Sequence, residues 1–451
     1  MLRASVLVLL AGLQAARAQD AIASVGVAPG GSVAFFCATT QLKAPERLYR
    51  ISLAGALTLQ SQFDLEMDAD KEGYKQTVCS NGAIAVASDT VSYTPMGRLY
   101  SEEVPGVPCL VRSSPAAGNG SLISERVELP SNPAQLSLSA GGAIHVMLEG
   151  TQNGAGYSPV QLLRLDNFST AAVLGAVALD LSVVTGPCDS YRIRPAGLQV
   201  FGDDNLLALA VYCPSAYGET TFIAIARADS LEVRGSAALT GMPFFPSLLA
   251  LVHPPSKETR GGLNVSLFLT IGGTACPGYG PRASCSTLHE VCIAIAGDSA
   301  TPTIVPTNRT APLWSLQAGS ATRFVALQGT ESLLNQGGVA AALAPGRPAS
   351  LLLAAAREPP LAPVPPFVPY VPARGSRLAR LSVGSESALL DVGQLEAAAP
   401  ALGQPYHVFR VAADPEHVFT IAAAPHSFLL KLRLDNLTHL VGSLAFPNVP
   451  C

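Results

Sequence analysis

The sequence lacks long apolar runs, basic clusters and helical periodicity. Beyond the first residues no apolar run is long enough to cross a bilayer, so no transmembrane helix is expected. Charged residues make up only 13% of the chain, the formal net charge is -4, and Lys and Arg do not cluster, which argues against a nucleic-acid partner. Apolar residues make up 49%, which excludes the composition of a disordered chain.

Several motifs of enzymes are also missing. The chain has no Gly-x-Ser-x-Gly elbow, no phosphate-binding loop and no dinucleotide fingerprint, and its cysteine spacings do not resemble a zinc site. No Ser-x-Asp-x-Gly box recurs, as it would in glycosidase propellers. The sequence therefore predicts no catalytic residue and favours a protein that is not an enzyme.

The N-terminus has the layout of a cleaved export signal. Arg3 is followed by the apolar run Val6 to Leu13 and by the small-residue site Ala16-Arg17-Ala18. We expect residues 1–18 to be a signal peptide and the mature protein to be secreted, and the alternative is a buried N-terminal helix. The five Asn-x-Ser/Thr sequons agree with export and are candidate glycosylation sites: Asn119, Asn167, Asn264, Asn308 and Asn436.

The nine cysteines are an odd number, so in an oxidising compartment at least one remains a thiol or links two chains. Sequence spacing does not determine connectivity. The candidate local pairs are Cys276 with Cys285, Cys188 with Cys213, and Cys79 with Cys109. A further hypothesis joins Cys451 to Cys37, because these two residues lie in the last and first repeats.

One strand-turn-strand unit recurs about seven times. Its clearest copies are Leu162–Leu179 and Leu429–Phe446, which share the word Leu-Arg-Leu-Asp-Asn. The third strands of the units are predicted to start near Leu48, Leu110, Leu162, Phe222, Cys292, Leu378 and Lys431. Five of them carry an arginine at the third position: Arg50, Arg112, Arg164, Arg380 and Arg433. Alternation predicts that this residue faces outward from a half-exposed strand, without requiring a ligand.

Four short strands per unit and the near absence of helical periodicity predict an all-β fold, a seven-bladed β-propeller of four-stranded antiparallel blades. Tandem β-sandwich domains are the alternative, although they explain the sevenfold recurrence poorly, and a β-helix needs shorter repeats. The propeller is predicted to span residues 21–451, with blades at 21–62, 74–130, 134–181, 190–240, 245–308, 322–396 and 405–447.

The openings of two units, VGVAPGGSVAFFC and FRVAADPEHVFTI, and the later words LLRLDN and LLKLRLDN resemble YVTN-type, WD40-like propeller repeats. The likeness is one of repeat style and covers nearly all of the mature chain. It departs from that pattern where the Pro-x-Gly turn is degenerate and where the sixth unit is stretched. The resemblance implies first strands that line a channel, fourth strands that lie outermost, and a binding or surface protein, with a lactonase-like minority of enzymes.

Two insertions are predicted on one rim of the disc, Gly272–Glu290 in the fifth unit and Arg357–Ser376 in the sixth. The first is predicted to be a disulfide-braced loop. The second has seven prolines between Pro359 and Pro372, which favours polyproline II. It is either a recognition arm carrying Phe367 and Tyr370 or a stiff loop that covers a neighbouring blade.

Two acidic stretches are candidate metal sites. Asp68, Asp70 and Glu72, followed by Gly73, imitate the start of a calcium loop, although Cys79 stands where the loop's last carboxylate belongs. The alternative for this stretch is a solvated loop between blades. Asp203-Asp204-Asn205 is a second acidic cluster, and a polar turn explains it as well. No other cofactor is predicted.

These observations leave three hypotheses of function. The first is a secreted or cell-surface scaffold that binds a protein or glycan partner through rim loops. The second is a propeller hydrolase or lactonase with a metal at the channel mouth. The third is a structural protein of a matrix or wall in which the odd cysteine links chains.

Overall fold

In a computed structural model, every described element is a β-strand, which confirms the all-β prediction. Among the described residues no helix is long and apolar enough to cross a membrane. The structure describes residues 21–28, 31–40, 43–65, 69–70, 73–80, 84–98, 106–115, 122–139, 141–153, 156–158, 160–165, 173–178, 194–201, 206–213, 220–240, 247–253, 262–275, 284–296, 303–312, 340–344, 350–356, 376–382, 389–394, 407–423 and 427–445.

The described strands form seven antiparallel sheets, named I to VII, and one separate hairpin. Sheet I comprises β1 (Ala21–Val27), β2 (Val33–Thr39), β3 (Arg47–Ser52) and β4 (Thr58–Asp64); sheet II comprises β5 (Thr77–Cys79), β6 (Ala85–Val86), β7 (Ser92–Arg98), β8 (Cys109–Pro115) and β9 (Leu122–Glu128). Sheet III comprises β10 (Pro133–Leu138), β11 (Ile144–Leu148), β14 (Gln161–Leu165) and β15 (Val173–Ala178), and β12 (Thr151–Asn153) pairs with β13 (Gly156–Ser158).

The later sheets have four strands each. Sheet IV comprises β16 (Arg194–Phe201), β17 (Leu206–Cys213), β18 (Thr220–Arg227) and β19 (Val233–Thr240); sheet V comprises β20 (Ser247–His253), β21 (Gly262–Ala275), β22 (Ser284–Ala296) and β23 (Thr303–Pro312). Sheet VI comprises β24 (Ala340–Ala344), β25 (Ser350–Ala356), β26 (Ser376–Ser382) and β27 (Leu389–Gln394); sheet VII comprises β28 (His407–Ala413), β29 (His417–Ala423), β30 (Ser427–Arg433) and β31 (Leu440–Ala445).

In five of the sheets the paired strands are consecutive in the chain, so each of these sheets is an up-and-down meander. Sheets II and III keep the same order, except that β5 and β6 both pair with β7 and that the β12–β13 hairpin intervenes between β11 and β14. The turn from first to second strand and the turn from third to fourth strand therefore lie at one end of the sheet, which we call the turn end. The opposite end is called the loop end. Each of the seven predicted third-strand starts lies within the third strand of a sheet.

The chain divides into two compact units. One comprises Met1–Asn132, Pro425–Leu429 and Ser443–Cys451, and the other comprises Pro133–Ala424 and Leu430–Gly442. The first unit has an apolar core between the strands of sheets I and II, formed by Ala28, Val33, Phe35, Cys37, Leu48, Leu65, Cys79, Ile84, Val86, Met96, Cys109 and Val111. In the second unit, one core is shared by sheets III and IV and includes Met147, Leu162, Leu209 and Phe222.

The first strands of sheets I and II approach each other closely at Gly26. The Ile84 amide donates to the Val25 carbonyl at 3.1 Å. A Cβ atom on Gly26 would lie only 2.2 Å from the Ile84 carbonyl oxygen, and so only glycine fits this contact. The fourth strand of sheet I is more exposed than the third: three of the six residues of β3 are buried, whereas β4 contains no buried residue. Exposed Leu59, Ile123, Val233 and Val441 all lie on fourth strands.

The structure corrects two local predictions. The sequence places the first two strands of unit two within Tyr74 to Ala87, but β5 and β6 both pair with β7, which is the true second strand. The sequence does not predict β7, because Pro95 lies in its middle and proline lacks the backbone N–H that a strand normally donates. The insertion Gly272–Glu290 is largely a long hairpin, since β21 and β22 extend through both of its ends.

Candidate functional site

A buried ion pair joins sheets I and II at their loop ends. The Lys75 ammonium donates to the Glu46 carboxylate, and the two side chains are only 1% and 2% exposed. Lys75 also donates to the Thr40 carbonyl at 2.8 Å, and the Cys79 amide donates to the second oxygen of Glu46 at 3.1 Å. Both charges are thus paired and hydrogen-bonded, which is the condition under which buried charges are tolerated.

A disulfide lies beside the ion pair. Cys37 of β2 is bonded to Cys79 of β5, with their Cα atoms 6.2 Å apart. Cys79 is therefore not available to Cys109, and Cys37 is not available to Cys451, so both predicted pairings are replaced. The predicted Cys79–Cys109 pair fails because Met96 of the intervening strand β7 is the register partner of both cysteines. Cys109 is buried and lies outside the disulfide.

The ligand atoms of Cys37, Glu46 and Cys79 all lie within 4.8 Å of one another, and no other such group occurs among the described residues. The two sulfurs are bonded to each other, and Lys75 neutralises the carboxylate. The cluster consequently acts as a brace between two sheets. No single stretch of the sequence reveals it, because Cys37 lies in β2, Glu46 directly precedes β3, and Cys79 ends β5.

Third-strand arginines connect consecutive sheets at their turn ends. Three guanidinium groups donate to backbone carbonyls of the following sheet: Arg50 to Asp89 (2.7 Å), Arg164 to Asp229 (2.8 Å) and Arg380 to Leu434 (2.7 Å). In all three strands a β-bulge directly follows the arginine. The alternating pattern predicts an outward side chain, and the structure adds that this side chain links two sheets.

The other two arginines of the pattern have different partners. Arg112 pairs with Glu125 on the adjacent strand of its own sheet, at 3.2 Å, and no bulge follows it in the β8–β9 register. Arg433 pairs with Asp435. Sheets III and IV have a second link, because His145 contacts the Ala228 carbonyl at 2.8 Å.

We expect Arg164→Gln to lower the free energy of unfolding by about 1–2 kcal/mol, since a charge-assisted hydrogen bond between sheets is lost. Arg112→Gln is the matched control, because its partly exposed ion pair contributes only about 0–1 kcal/mol. Urea denaturation of both variants measures the difference. Equal losses would mean that the link between sheets contributes nothing beyond an ordinary surface pair.

Exposed Arg-x-Asp pairs occupy two of the turn ends. In sheet IV, Arg227 donates to Asp229 at 3.2 Å, and in sheet VII, Arg433 donates to Asp435 at 2.8 Å. The hydrogen bond from the neighbouring arginine is the largest influence on each carboxyl group, and it lowers the pKa of Asp229 and of Asp435. Both carboxylates are therefore ionised at neutral pH, and each turn presents a fixed guanidinium–carboxylate pair to solvent.

Of the four residues that suggest a calcium loop, the structure describes Asp70 and Gly73, whereas Asp68 and Glu72 lie outside the described residues. One oxygen of the Asp70 carboxylate accepts the Tyr74 amide at 2.8 Å, and the other accepts the Gln76 carboxamide at 3.3 Å. Gly73 has a φ of 80°, which permits the tight turn. Asp70 therefore stabilises a local turn.

Other predicted site residues fall in several places. Nine of them lie outside the described residues: Phe367, Tyr370, Asp203, Asp204, Cys188, Cys276, Cys451, Asn119 and Asn167. Cys213 ends β17, and Cys285 of β22 is the register partner of Thr274. Asn264 lies in the inner strand β21, Asn308 lies in β23, and Asn436 is exposed in the turn between β30 and β31.

A scan against known protein families finds no match, and neither does a search of the curated proteins. The solved structures similar to this chain include Sqt1 from Chaetomium thermophilum bound to the N-terminus of the ribosomal protein L10. The two chains are 13% identical with a TM-score of 0.46, and the match covers 94% of this chain and 87% of that chain.

Prolyl peptidases are also among the similar structures. A structure from a study of two prolyl endopeptidases has 10% identity, a TM-score of 0.47, and 96% of this chain and 50% of that chain covered. Prolyl oligopeptidase B from Galerina marginata has 9% identity, a TM-score of 0.46, and 98% and 55% covered. The chain thus spans about half the length of these peptidases. The comparisons assign it no activity, ligand or partner.

Proposed function

We propose that this chain is a secreted seven-bladed β-propeller, with sheets I to VII as its blades, that serves as a binding scaffold for a protein or glycan. The observation that carries the proposal is the repeated arginine link at the turn end. Three of the meanders are joined at the same end to the following sheet, I to II, III to IV and VI to VII, and this repetition fits blades packed face to face in chain order.

Export is supported by the predicted signal peptide and by the Cys37–Cys79 disulfide, because buried disulfides persist in oxidising compartments. Expression of the full chain in a eukaryotic secretory host tests this part. The mature protein should begin at Gln19, and protein retained inside the cell with an intact N-terminus would contradict export.

The turn end is the surface that we propose for the partner. Turns on a rigid scaffold often carry binding residues, and arginine is enriched among residues that dominate binding energy. Arg227 is 44% exposed and is already oriented by Asp229, so it loses little conformational freedom when it binds. The partner class is a polar protein surface or a glycan.

Purified mature protein should be tested on panels of glycans and of secreted proteins, and any hit titrated as a purified ligand. We expect Arg227→Ala to weaken that binding about tenfold or more. Arg126→Ala is the matched control, because Arg126 lies near the loop end of sheet II, where it donates to the Val107 carbonyl. Equal effects of the two substitutions would exclude the turn end as the binding surface.

A further inference from the structure

Asn436 lies in a turn that presents its side chain to solvent. The turn connects β30 to β31, and both Asn436 and Thr438 are exposed whereas the intervening Leu437 is 0% exposed. The His439 amide donates to the Asn436 carbonyl at 3.0 Å, and the Arg433 amide donates to the His439 carbonyl at 3.1 Å. Buried Leu437 and these bonds fix the turn, while the two polar residues of the sequon stay accessible.

Within the sequon, the carboxamide oxygen of Asn436 is the acceptor of two hydrogen bonds. The Thr438 hydroxyl donates to it at 2.7 Å, and the Thr438 amide donates to it at 3.1 Å. Both bonds use the oxygen, so the nitrogen that would carry a sugar is not engaged by them. Asn264 differs, because it lies in an inner strand whose backbone pairs with His253 on one side and Ala294 on the other.

From this geometry we infer that Asn436 is an N-glycosylation site. The inference rests on the proposed export. In the reaction, the Asn436 Nδ2 forms a bond to the anomeric carbon of an oligosaccharide carried on a polyprenyl diphosphate. The bond between that carbon and the phosphate oxygen breaks, the diphosphate leaves with the electron pair, and the amide loses one proton.

A glycan at this position has a consequence for partner binding. It projects from the turn end of sheet VII, beside the Arg433–Asp435 pair, and covers that pair. The equivalent pair of sheet IV, Arg227 and Asp229, is followed by Ser230 and Leu231 and has no sequon. Removal of the glycan at Asn436 should therefore leave binding at Arg227 unchanged.

The test is peptide mapping of the mature protein by mass spectrometry, with and without enzymatic removal of N-glycans. We expect a glycan at Asn436, its loss in Asn436→Gln and in Thr438→Ala, and its retention in Thr438→Ser, which keeps both the hydroxyl and the sequon. An exported wild-type protein whose Asn436 is bare would overturn the inference and leave the proposed export intact.

The same chain fused to a foreign secretory leader separates the two proposals. A glycan at Asn436 under the foreign leader, with no export from the chain's own N-terminus, would support the acceptor site and contradict the proposed secretion. A bare Asn436 under both leaders would refute the acceptor site alone. Unchanged mobility of Asn436→Gln relative to wild type on gels would also refute the acceptor site.

Discussion

Glu46→Gln is expected to lower the free energy of unfolding by about 3–5 kcal/mol, which is the usual cost of removing one partner from a buried ion pair. The substitution keeps the size of the side chain but removes its charge. The Lys75 ammonium, 1% exposed, would then remain with only the Thr40 carbonyl and hydroxyl as described acceptors besides the new neutral amide. Glutamine has a single side-chain oxygen, whereas the Cys79 amide uses one carboxylate oxygen of Glu46 and the Thr40 amide shares the other with Lys75. One of these positions would face an NH2 donor, so the loss arises from the uncompensated cation together with a lost acceptor.

Urea denaturation of the oxidised protein measures this loss through the transition midpoint at constant slope. Glu125→Gln is the matched control, because Glu125 is 48% exposed in its pair with Arg112 and should cost only about 0–1 kcal/mol. The double variant Glu46→Leu with Lys75→Met should recover part of the loss, since it removes both charges. A Glu46→Gln variant as stable as Glu125→Gln would show that water reaches Lys75.

The sheets could be predicted from the sequence because their signals are local. Alternation, turn residues and the repeated word around Arg164 and Arg433 all act within a few residues of the strand that they define. The strand β7 was missed for the same reason, since Pro95 breaks the local pattern and only pairing with β8 shows the strand. The extended pairing of β21 with β22 was missed because the sequence between the two strands contains Gly and Pro, which are typical of a loop.

The contacts between sheets could not be predicted, because they join residues far apart in the chain. Glu46 and Lys75 each lie in a short segment with other charged residues, and such residues are usually solvated. Nothing local indicates that Arg50 donates to the Asp89 carbonyl of the next sheet or that Arg112 does not. The bulge after Arg50, Arg164 and Arg380 distinguishes these arginines from Arg112, and it is visible only in the strand register.

Replacing Cys37 and Cys79 together by alanine is expected to destabilise the oxidised protein by about 4 kcal/mol. The disulfide spans a sequence separation of 42 residues, and closure of a loop of this length removes that much entropic stability from the unfolded chain. The substitutions cost the folded state less than this, because both residues lie in an apolar core in which alanine leaves only small cavities. Unfolding with and without a dithiol reductant checks this: once reduced, wild type and variant should differ only by the cost of the small cavities that alanine leaves.

Cys109→Ala is the control, because it removes a buried thiol of the same core without opening the disulfide. Its unfolding should show only the cost of a small cavity, and the difference between oxidised and reduced protein should match that of wild type.

The ion pair and the disulfide should not be independent. The Cys79 amide donates to the Glu46 carboxylate, so the disulfide holds in place a donor that the carboxylate needs. The combined loss of Glu46→Gln and the cysteine double variant should therefore differ from the sum of the separate losses by about 0.5–3 kcal/mol. Strict additivity would mean that the ion pair and the disulfide stabilise the contact between sheets I and II independently. A coupling of that size would mean that the two interactions depend on each other.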